Sequence, residues 1–527
     1  MTTKLSVFCA LTLLLAACRP AAQNIVPKQL RFAIPGDPPT FDPLVVNESN
    51  AGAIRDLTSG YLLRIDRVTD EPQPDLAESW QVKDGGRAIA FHLLKDLKFS
   101  DGSPLTADQV AQTLRRLATD AATTVGDAFR EAHPEVSVSS PLDLEVHFRT
   151  SVPRLERLFD QFAIAPAKPA KLPGTAGPFF IAEFQPGAFV LLARNPNYWK
   201  RPLPRLDSIR IDIQSSHEIE LTRFLRGEFQ VIDRLEPDFF ERIVRNQPGA
   251  ARDLGASLDS EFLWFNQSDA KTLPDFKRAW FRSATFRHAI SAAIHREDII
   301  SVVYKGHAHA AAGPISSANH AWFNTALQPL ATDPQAALKS LEAEGFALRD
   351  KVLRDGAGHP VEFTLITNAG NTARETMLKL IKADLAKIGI DVKTVALDGR
   401  SLGTRIGRTL DYEAALQGFS NTDPDPVNEM NVWLSSKDMH FWRPNQPVPD
   451  TGWEKRIDEL EDKQATEPSR EARRKALDEF QQIVRDQEPV IYLVNPDYLV
   501  AISPLVKGMQ PGVAPPQLWR SVEQISF

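Results

Sequence analysis

The sequence predicts an α/β protein of several structural units, and three segments carry that reading: strand, turn and helix over 87–117, strand, long helix and strand over 361–395, and helix then apolar strand over 469–494. In the first, Ile89, Phe91 and Leu93 alternate as in a half-buried strand and Asp101-Gly102 supplies a turn. A capping box of Thr106 and Gln109 then precedes Val110, Leu114 and Leu117 at helical spacing. In the second, Val361, Phe363 and Leu365 alternate, and a capping box of Thr372 and Glu375 opens a helix striped by Met377, Leu378, Ile381, Leu385 and Ile388. Gly389 ends that helix and 390–395 returns as a strand, a βαβ unit that favours parallel pairing with a right-handed crossover. In the third, Ser469 opens a helix bearing Leu477, Phe480 and Val484, Pro489 follows it, and 490–494 reads as a buried strand.

With 527 residues the chain is long enough for about three units of ~150 residues. Its 43% hydrophobic and 24% charged content and a mean hydropathy of -0.26 exclude a disordered tail, a coiled coil and a multi-span membrane protein. A net charge of -7 lacks the basic footprint of a nucleic-acid binder, so no nucleic-acid partner is expected. The 39 prolines against 27 glycines point to many turns and long connections. No fixed-period repeat or low-complexity tract occurs.

Both cysteines, Cys9 and Cys18, lie in the first eighteen residues. Lys4 forms a short positive region, 5–15 is an apolar run too short to span a bilayer, and Ala16 and Ala17 are the small residues a signal peptidase requires, so 1–17 reads as a signal peptide. Leu15-Ala16-Ala17-Cys18 also resembles the bacterial lipobox, which implies acylation of Cys18, with 18–25 as a lipidated tether; an ordinary signal peptide cut near Ala17 or Ala22 is the alternative. Several acyl chains, at about 0.8 kcal/mol per buried methylene, give a stable anchor where a single chain is marginal. Residues from 26 onward would then form an extracytoplasmic body held to the membrane by that lipid.

The search for catalytic constellations is negative: no nucleophile elbow, no phosphate loop, and no H-E-x-x-H helix, since Leu221 stands where His217-Glu218 would need a second histidine. Gly174-Thr175-Ala176-Gly177 lacks the lysine of a phosphate loop and reads as a tight turn before a strand over 179–181. His307 and His309, two apart, have a spacing that can hold a metal, as could His288 and His295 on a predicted helix. No carboxylate or cysteine stands beside either pair at ligand spacing, so both read as exposed polar side chains and no metal site is assigned. No cofactor is expected. The rival class, an exported hydrolase using a carboxylate pair in a cleft, has no specific residues behind it.

An ordered set of motifs resembles the large peptide-type solute-binding proteins of ABC importers, the family of oligopeptide, dipeptide and nickel receptors. The matching stretches are Asp37-Pro38-Pro39-Thr40-Phe41-Asp42-Pro43, Pro74-Asp75-Leu76-Ala77-Glu78-Ser79-Trp80, Phe91-His92-Leu93, and Lys98-Phe99-Ser100-Asp101-Gly102-Ser103-Pro104-Leu105-Thr106-Ala107. Gly174-Thr175-Ala176-Gly177-Pro178-Phe179, Arg194-Asn195-Pro196-Asn197-Tyr198-Trp199, and Phe286-Arg287-His288-Ala289-Ile290 with His295-Arg296-Glu297 continue the order. Trp80, Tyr198 and Trp199 read as core aromatics and Pro74 to Ala77 as a packed turn, so these motifs identify a scaffold. Between Lys271 and Ala284, Phe276, Trp280 and Phe281 alternate with Lys277, Arg278 and Arg282, either as a core or surface helix or as a contact for ligand or partner.

The resemblance implies a two-lobed periplasmic-binding-protein fold of type II, large class, with an extra subdomain inserted in lobe I. Lobe I is expected at 26–46, 175–262 and 486–527, the inserted subdomain at 47–174 and lobe II at 263–485. Ligand would be trapped between the lobes by hinge closure. In the peptide receptors a loop Gly-Trp-x-x-Asp, followed by an acidic residue and proline, supplies an aspartate to the peptide amino group. Here the loop reads Gly418-Phe419-Ser420-Asn421-Thr422-Asp423-Pro424-Asp425-Pro426, with Phe419 for the tryptophan and Thr422 at the aspartate position. Asp423, one residue on, takes the role only if the loop bulges, and Pro424 opposes a simple shift. The expected ligand-binding residues are Asn47, Glu48, Ser49 and Asn266 from lobe I and Phe419, Ser420, Asn421, Thr422 and Asp423 from lobe II; for Asn47 and Asn266 a turn or strand-end hydrogen bond is the plainer use. The function implied is a monomeric, lipid-anchored receptor, not an enzyme, that binds a small molecule, a peptide by preference, and hands it to an ABC permease and its ATPase. A receptor-fold accessory module serving a membrane sensor is the further alternative.

Overall fold

The computed structural model describes residues 28–527 apart from 46–48, 68–69, 126, 153, 167–171, 421–422 and 468. The signal peptide, Cys18 and the tether, together with Asn47, Glu48, Asn421 and Thr422, lie outside the described residues. No helix among the described residues is long and apolar enough to cross a membrane.

Three sheets organise the body. Gln29–Ile34 runs parallel to Ser208–Ile213, which pairs antiparallel with Phe189–Arg194 and that in turn with Phe179–Gln185. A second, wholly antiparallel sheet in the order Ala77–Lys83, Ala88–Leu93, Asp143–His147, Glu135–Val138 belongs to the inserted subdomain. It packs on the helix Ala107–Thr119, whose Val110, Leu114 and Leu117 are fully buried as the stripe predicts. The third sheet has eight strands, with Val231–Ile232, Val490–Ile502, Ser260–Phe265, Ala414–Phe419, Glu362–Asn368 and Asp391–Leu397 in spatial order. Its βαβ unit is present: Glu362–Asn368 and Asp391–Leu397 are parallel and joined by the helix Thr372–Ala386.

Strand Ser260–Phe265 is buried on both faces. Leu263 and Phe265 enter one core with the helices Ala284–Ala293 and Thr372–Ala386, while Phe262 and Trp264 enter another with Arg470–Gln487. This two-sided burial explains its near-continuous apolar run. The strand Val490–Ile502 does most to join the parts. Its first half, from Val490 to Val494, pairs with Ser260–Phe265, and its second, from Asp497 to Ile502, pairs with Ala251–Ala256 and Val231–Ile232. Pro496, which cannot donate to a ladder, falls at the changeover, where its carbonyl accepts from Ser257 N at 2.8 Å. The changeover therefore lies at 257–259 and 495–496. The expected lobe junctions at 262/263 and 485/486 fall instead inside the unbroken strand Ser260–Phe265 and helix Arg470–Gln487.

Several local expectations need correction. Thr106 is the N-cap of its helix, but its hydroxyl bonds Gln109 Oε1 at 3.0 Å and caps no backbone N–H. The cap of Thr372–Ala386 is Asn371, whose side chain accepts from Arg374 N, and Glu375 reaches back to Gly370 N at 3.0 Å. The helix carrying His288 stops at Ala293, so His295 is not on it and stands just before the next short turn without capping it. The scaffold reading of the motifs holds: Gly177 has Thr58 O so close that a Cβ would collide with it, and Arg287 is 1% exposed with its guanidinium bonded to the carbonyls of Phe281, Gln487 and Glu488. Trp280 and Phe281 are core residues of the helix Asp275–Arg282.

Candidate functional site

The strand Ala414–Phe419 runs parallel to Glu362–Asn368, so both send their carboxyl ends the same way, the side on which open α/β sheets carry ligand loops. Gly418 is opposite Glu261, and the Arg374 guanidinium crosses over it to grip Glu261 at 2.8 and 3.1 Å; a side chain at 418 would stand 2.6 Å from Glu261 Oε1. Glycine is what lets that pair lie flat on the strand. Phe419 is half-buried against the aromatic core of Phe262 and Trp264. Ser420 Oγ donates to Asp259 Oδ1 at 2.9 Å, and Arg234 holds the other oxygen of Asp259 at 3.0 Å, tying the loop to the strand changeover.

Beyond the two undescribed residues the loop meets the inserted subdomain. Arg157 Nη2 donates to Asp423 Oδ1 at 2.9 Å, Arg157 Nε lies 2.8 Å from Asp425 Oδ2, and Arg154 Nη1 donates to Asp425 Oδ2 at 3.0 Å. Asp70, also of the inserted subdomain, accepts from Arg154 at 2.7 Å and Arg157 at 2.9 Å. From the other side Arg473 grips Asp425 with both terminal nitrogens. Burial alone would raise the Asp425 carboxyl; hydrogen bonds from Arg473 and the charges of Arg157 and Arg154 outweigh it and lower the pKa to about 2. Trp322 offers its face to Arg473, Arg470 and Arg154 at 4.6, 5.7 and 5.9 Å. Pro424 is held by Asn319, whose side-chain amide donates to its carbonyl at 2.7 Å. A cleft of about 520 Å³ opens beside this cluster, bounded by Arg154, Arg157, Trp322, Arg470 and Arg473.

Of the sequence-derived candidates, Phe419, Ser420 and Asp423 thus come together on one loop facing the other part of the molecule. Ser49 is the exposed first residue of the helix Ser49–Thr58. Asn266 needs correction: it is 0% exposed, donates to Leu410 O and Tyr412 O at 2.9 Å each, and accepts from Ser268 N and Oγ, so both polar atoms of its side chain are engaged internally. Asp425, Arg154, Arg157, Arg473 and Trp322 escaped sequence reasoning. Asp425 stood in the family's acidic-proline position without a role; Arg154 and Arg157 stand three apart at the start of one short helix, but Trp322 and Arg473 are far from them in the chain with no pattern to link the set.

Residues 71–441 match the family of bacterial extracellular solute-binding proteins, family 5. The chain belongs to this family. Among relatives of this family 5 protein, a probable ABC transporter-binding protein of Deinococcus radiodurans is 28% identical over 406 residues, covering 68% of this chain and 66% of that protein. The probable D,D-dipeptide-binding periplasmic protein DdpA of Escherichia coli is 25% identical over 523 residues, 94% of each chain. The crystal structure of NikA from Brucella suis in complex with Fe(III)-EDTA superposes with a TM-score of 0.80 at 20% identity, covering 94% of this chain and 99% of NikA. The two-lobed periplasmic-binding-protein fold expected from the motifs is therefore the fold of this family 5 protein, and its relatives bear the names of binding proteins, not enzymes.

Proposed function

We propose that this protein captures a small organic solute, a peptide by first preference, between its two lobes and delivers it to an ABC permease, held at the membrane by lipid on Cys18. The observation that supports the reading is the meeting of Asp423 and Asp425, on the loop that matches the family's ligand loop, with Arg154 and Arg157 from a segment far away in the chain. Family membership and the peptide and dipeptide names of relatives support the solute class. Asp423 enters the closed cleft already neutralised by Arg157, so a ligand amine must displace that guanidinium to use it. A ligand carboxylate would instead compete for the arginines.

Mass spectrometry of the solute that co-purifies with the protein, followed by calorimetry against wild type and Asp423→Asn, tests this. A cationic end seated on Asp423 predicts a loss of about 2–5 kcal/mol in the variant, the usual cost of truncating one partner of a buried charge pair. Equal affinities would assign the solute to an uncharged or anionic class, and catalytic turnover of a peptide library with no stoichiometric binding would overturn the receptor reading.

A further inference from the structure

The pair His307 and His309 has no ligand beside it in sequence, yet the fold brings two carboxylates to it from the paired strands just beyond the changeover. Asp253, His307 and Asp497 each place a ligand atom within 4.8 Å of the other two. Asp253 lies on Ala251–Ala256, where the register slips between Asp253 and Ala256. Gly255, at φ +78°, donates its N–H to Asp253 Oδ1 at 2.8 Å, leaving Oδ2 to meet His307 Nδ1 at 2.6 Å. Such bulges re-aim side chains. Asp497 is the first residue of the crossing strand beyond Pro496, and its N–H is held by His307 O at 3.1 Å. Its side chain is 5% exposed, and its Oδ1 is buried with no aligned hydrogen bond; His309 Nε2 stands 3.2 Å from that oxygen.

Two carboxylates side by side, one of them buried, need a proton or a cation between them. We propose that Asp253, His307 and Asp497 form a binding site for a borderline divalent cation such as Zn²⁺, with His309 at hand as a fourth ligand. One imidazole nitrogen with carboxylate oxygens is a donor set for Zn²⁺ and its neighbours, and it disfavours Mg²⁺ and Ca²⁺, which prefer all-oxygen shells. Around an ion with bonds of ~2.1 Å, ligand atoms sit ~3.4 Å apart, so His307 and Asp253, now in direct contact at 2.6 Å, would part by less than about 1 Å to admit it. The support behind the imidazole is also present: Glu241 Oε1 lies 3.4 Å from His307 Nε2, on the ring edge away from Asp253, and Phe240 packs edge-on against the ring at 4.7 Å. A carboxylate behind a ligating histidine fixes its tautomer and raises its basicity. A cleft of about 850 Å³ lined by His307 and Asp497 gives the ion a way in from solvent. The ligands come from Ala251–Ala256, from the crossing strand and from the segment entering Ala308–Ala310, so the ion would tie three segments together next to the changeover.

The test is calorimetric titration of chelator-stripped, tag-free protein with Zn²⁺, alongside the cobalt absorption spectrum of the wild type. One equivalent should bind, Mg²⁺ and Ca²⁺ should not compete, and cobalt should show the d–d bands of a low-symmetry nitrogen–oxygen site. Binding should be lost in Asp497→Asn and in His307→Gln, and weakened about 10- to 100-fold in Glu241→Gln; circular dichroism of the metal-free variants checks that they fold. Absence of stoichiometric Zn²⁺ binding and of a cobalt spectrum in the wild type, or undiminished binding in both ligand variants, overturns the proposal.

Discussion

Gly418 shows how one residue without a side chain supports several that have them. Glu261 is buried, which pushes its carboxyl pKa upward, and Arg374 opposes that by a two-pronged hydrogen bond laid across the glycine. Adding a methyl group forces the guanidinium off its partner or bends the strand. Gly418→Ala should therefore lower stability by about 1–3 kcal/mol, the usual cost of overpacking a tight site. Urea denaturation of the two proteins checks this, and an unchanged midpoint would mean that the ion pair re-forms around the methyl. Gly418 was visible in the sequence as part of the ligand-loop pattern, but not the reason for it, since Glu261 and Arg374 both lie more than forty residues upstream.

Among the elements, the helix pair Gly452–Thr466 and Arg470–Gln487 carries a pH-dependent cost. Glu461 is 1% exposed with one hydrogen bond from Gln464 at 2.8 Å, and burial raises its pKa to about 8; burial likewise raises Glu429, beside Trp433, to about 7. Both sit above an unfolded value near 4.3, so the folded chain binds more protons than the unfolded one and stability falls as pH rises from about 4.3 through 8. The lowered carboxyl of Asp425 acts in the opposite sense, but only in acid, where its contribution is present above about 4 and lost as pH falls through about 2. Glu461→Gln keeps an acceptor for Gln464 and cannot ionise. It should gain about 1–3 kcal/mol at pH 8 and nothing at pH 4, a difference that denaturant melts at the two values would register. A gain of equal size at both would trace the effect to packing.

For the whole molecule, two crossing strands form the joint and ion pairs form the closing contact. Asp423 and Asp425 on one side face Arg154, Arg157 and Asp70 on the other, largely desolvated. The Coulomb gain of such pairs is nearly cancelled by the cost of removing them from water, so they contribute little net stability to this contact. The proposed anchor is the Leu15-Ala16-Ala17-Cys18 stretch, and it has a direct test. If Cys18 is acylated, Cys18→Ala should move the protein from the membrane to the soluble fraction while its melting temperature stays the same, as expected of a residue that serves only as the lipid tether. Membrane association that survives the substitution would remove lipid on Cys18 as the anchor.

The sequence by itself determined the class of fold and most of its local pieces. The βαβ unit over 361–395, the helix opened by Ser469 and the stripe of Val110, Leu114 and Leu117 are legible because helix and strand periodicity are short-range properties. The ordered motifs were equally legible as scaffold, since buried arginines such as Arg287 and close approaches such as Gly177 on Thr58 restrict residue identity at fixed positions. Tertiary structure decided what depends on residues distant in the chain. It extended the strand at 490–494 through Pro496 to Ile502, because the partner strand changes at that point. It removed Asn266 from the ligand set by engaging both polar atoms of its side chain internally, and it surrounded Asp423 and Asp425 with arginines that no spacing links to them. It also brought Asp253 and Asp497 to His307, 54 residues from the first. Charge pairing and desolvation act through space, so they become readable only once the fold has set the distances.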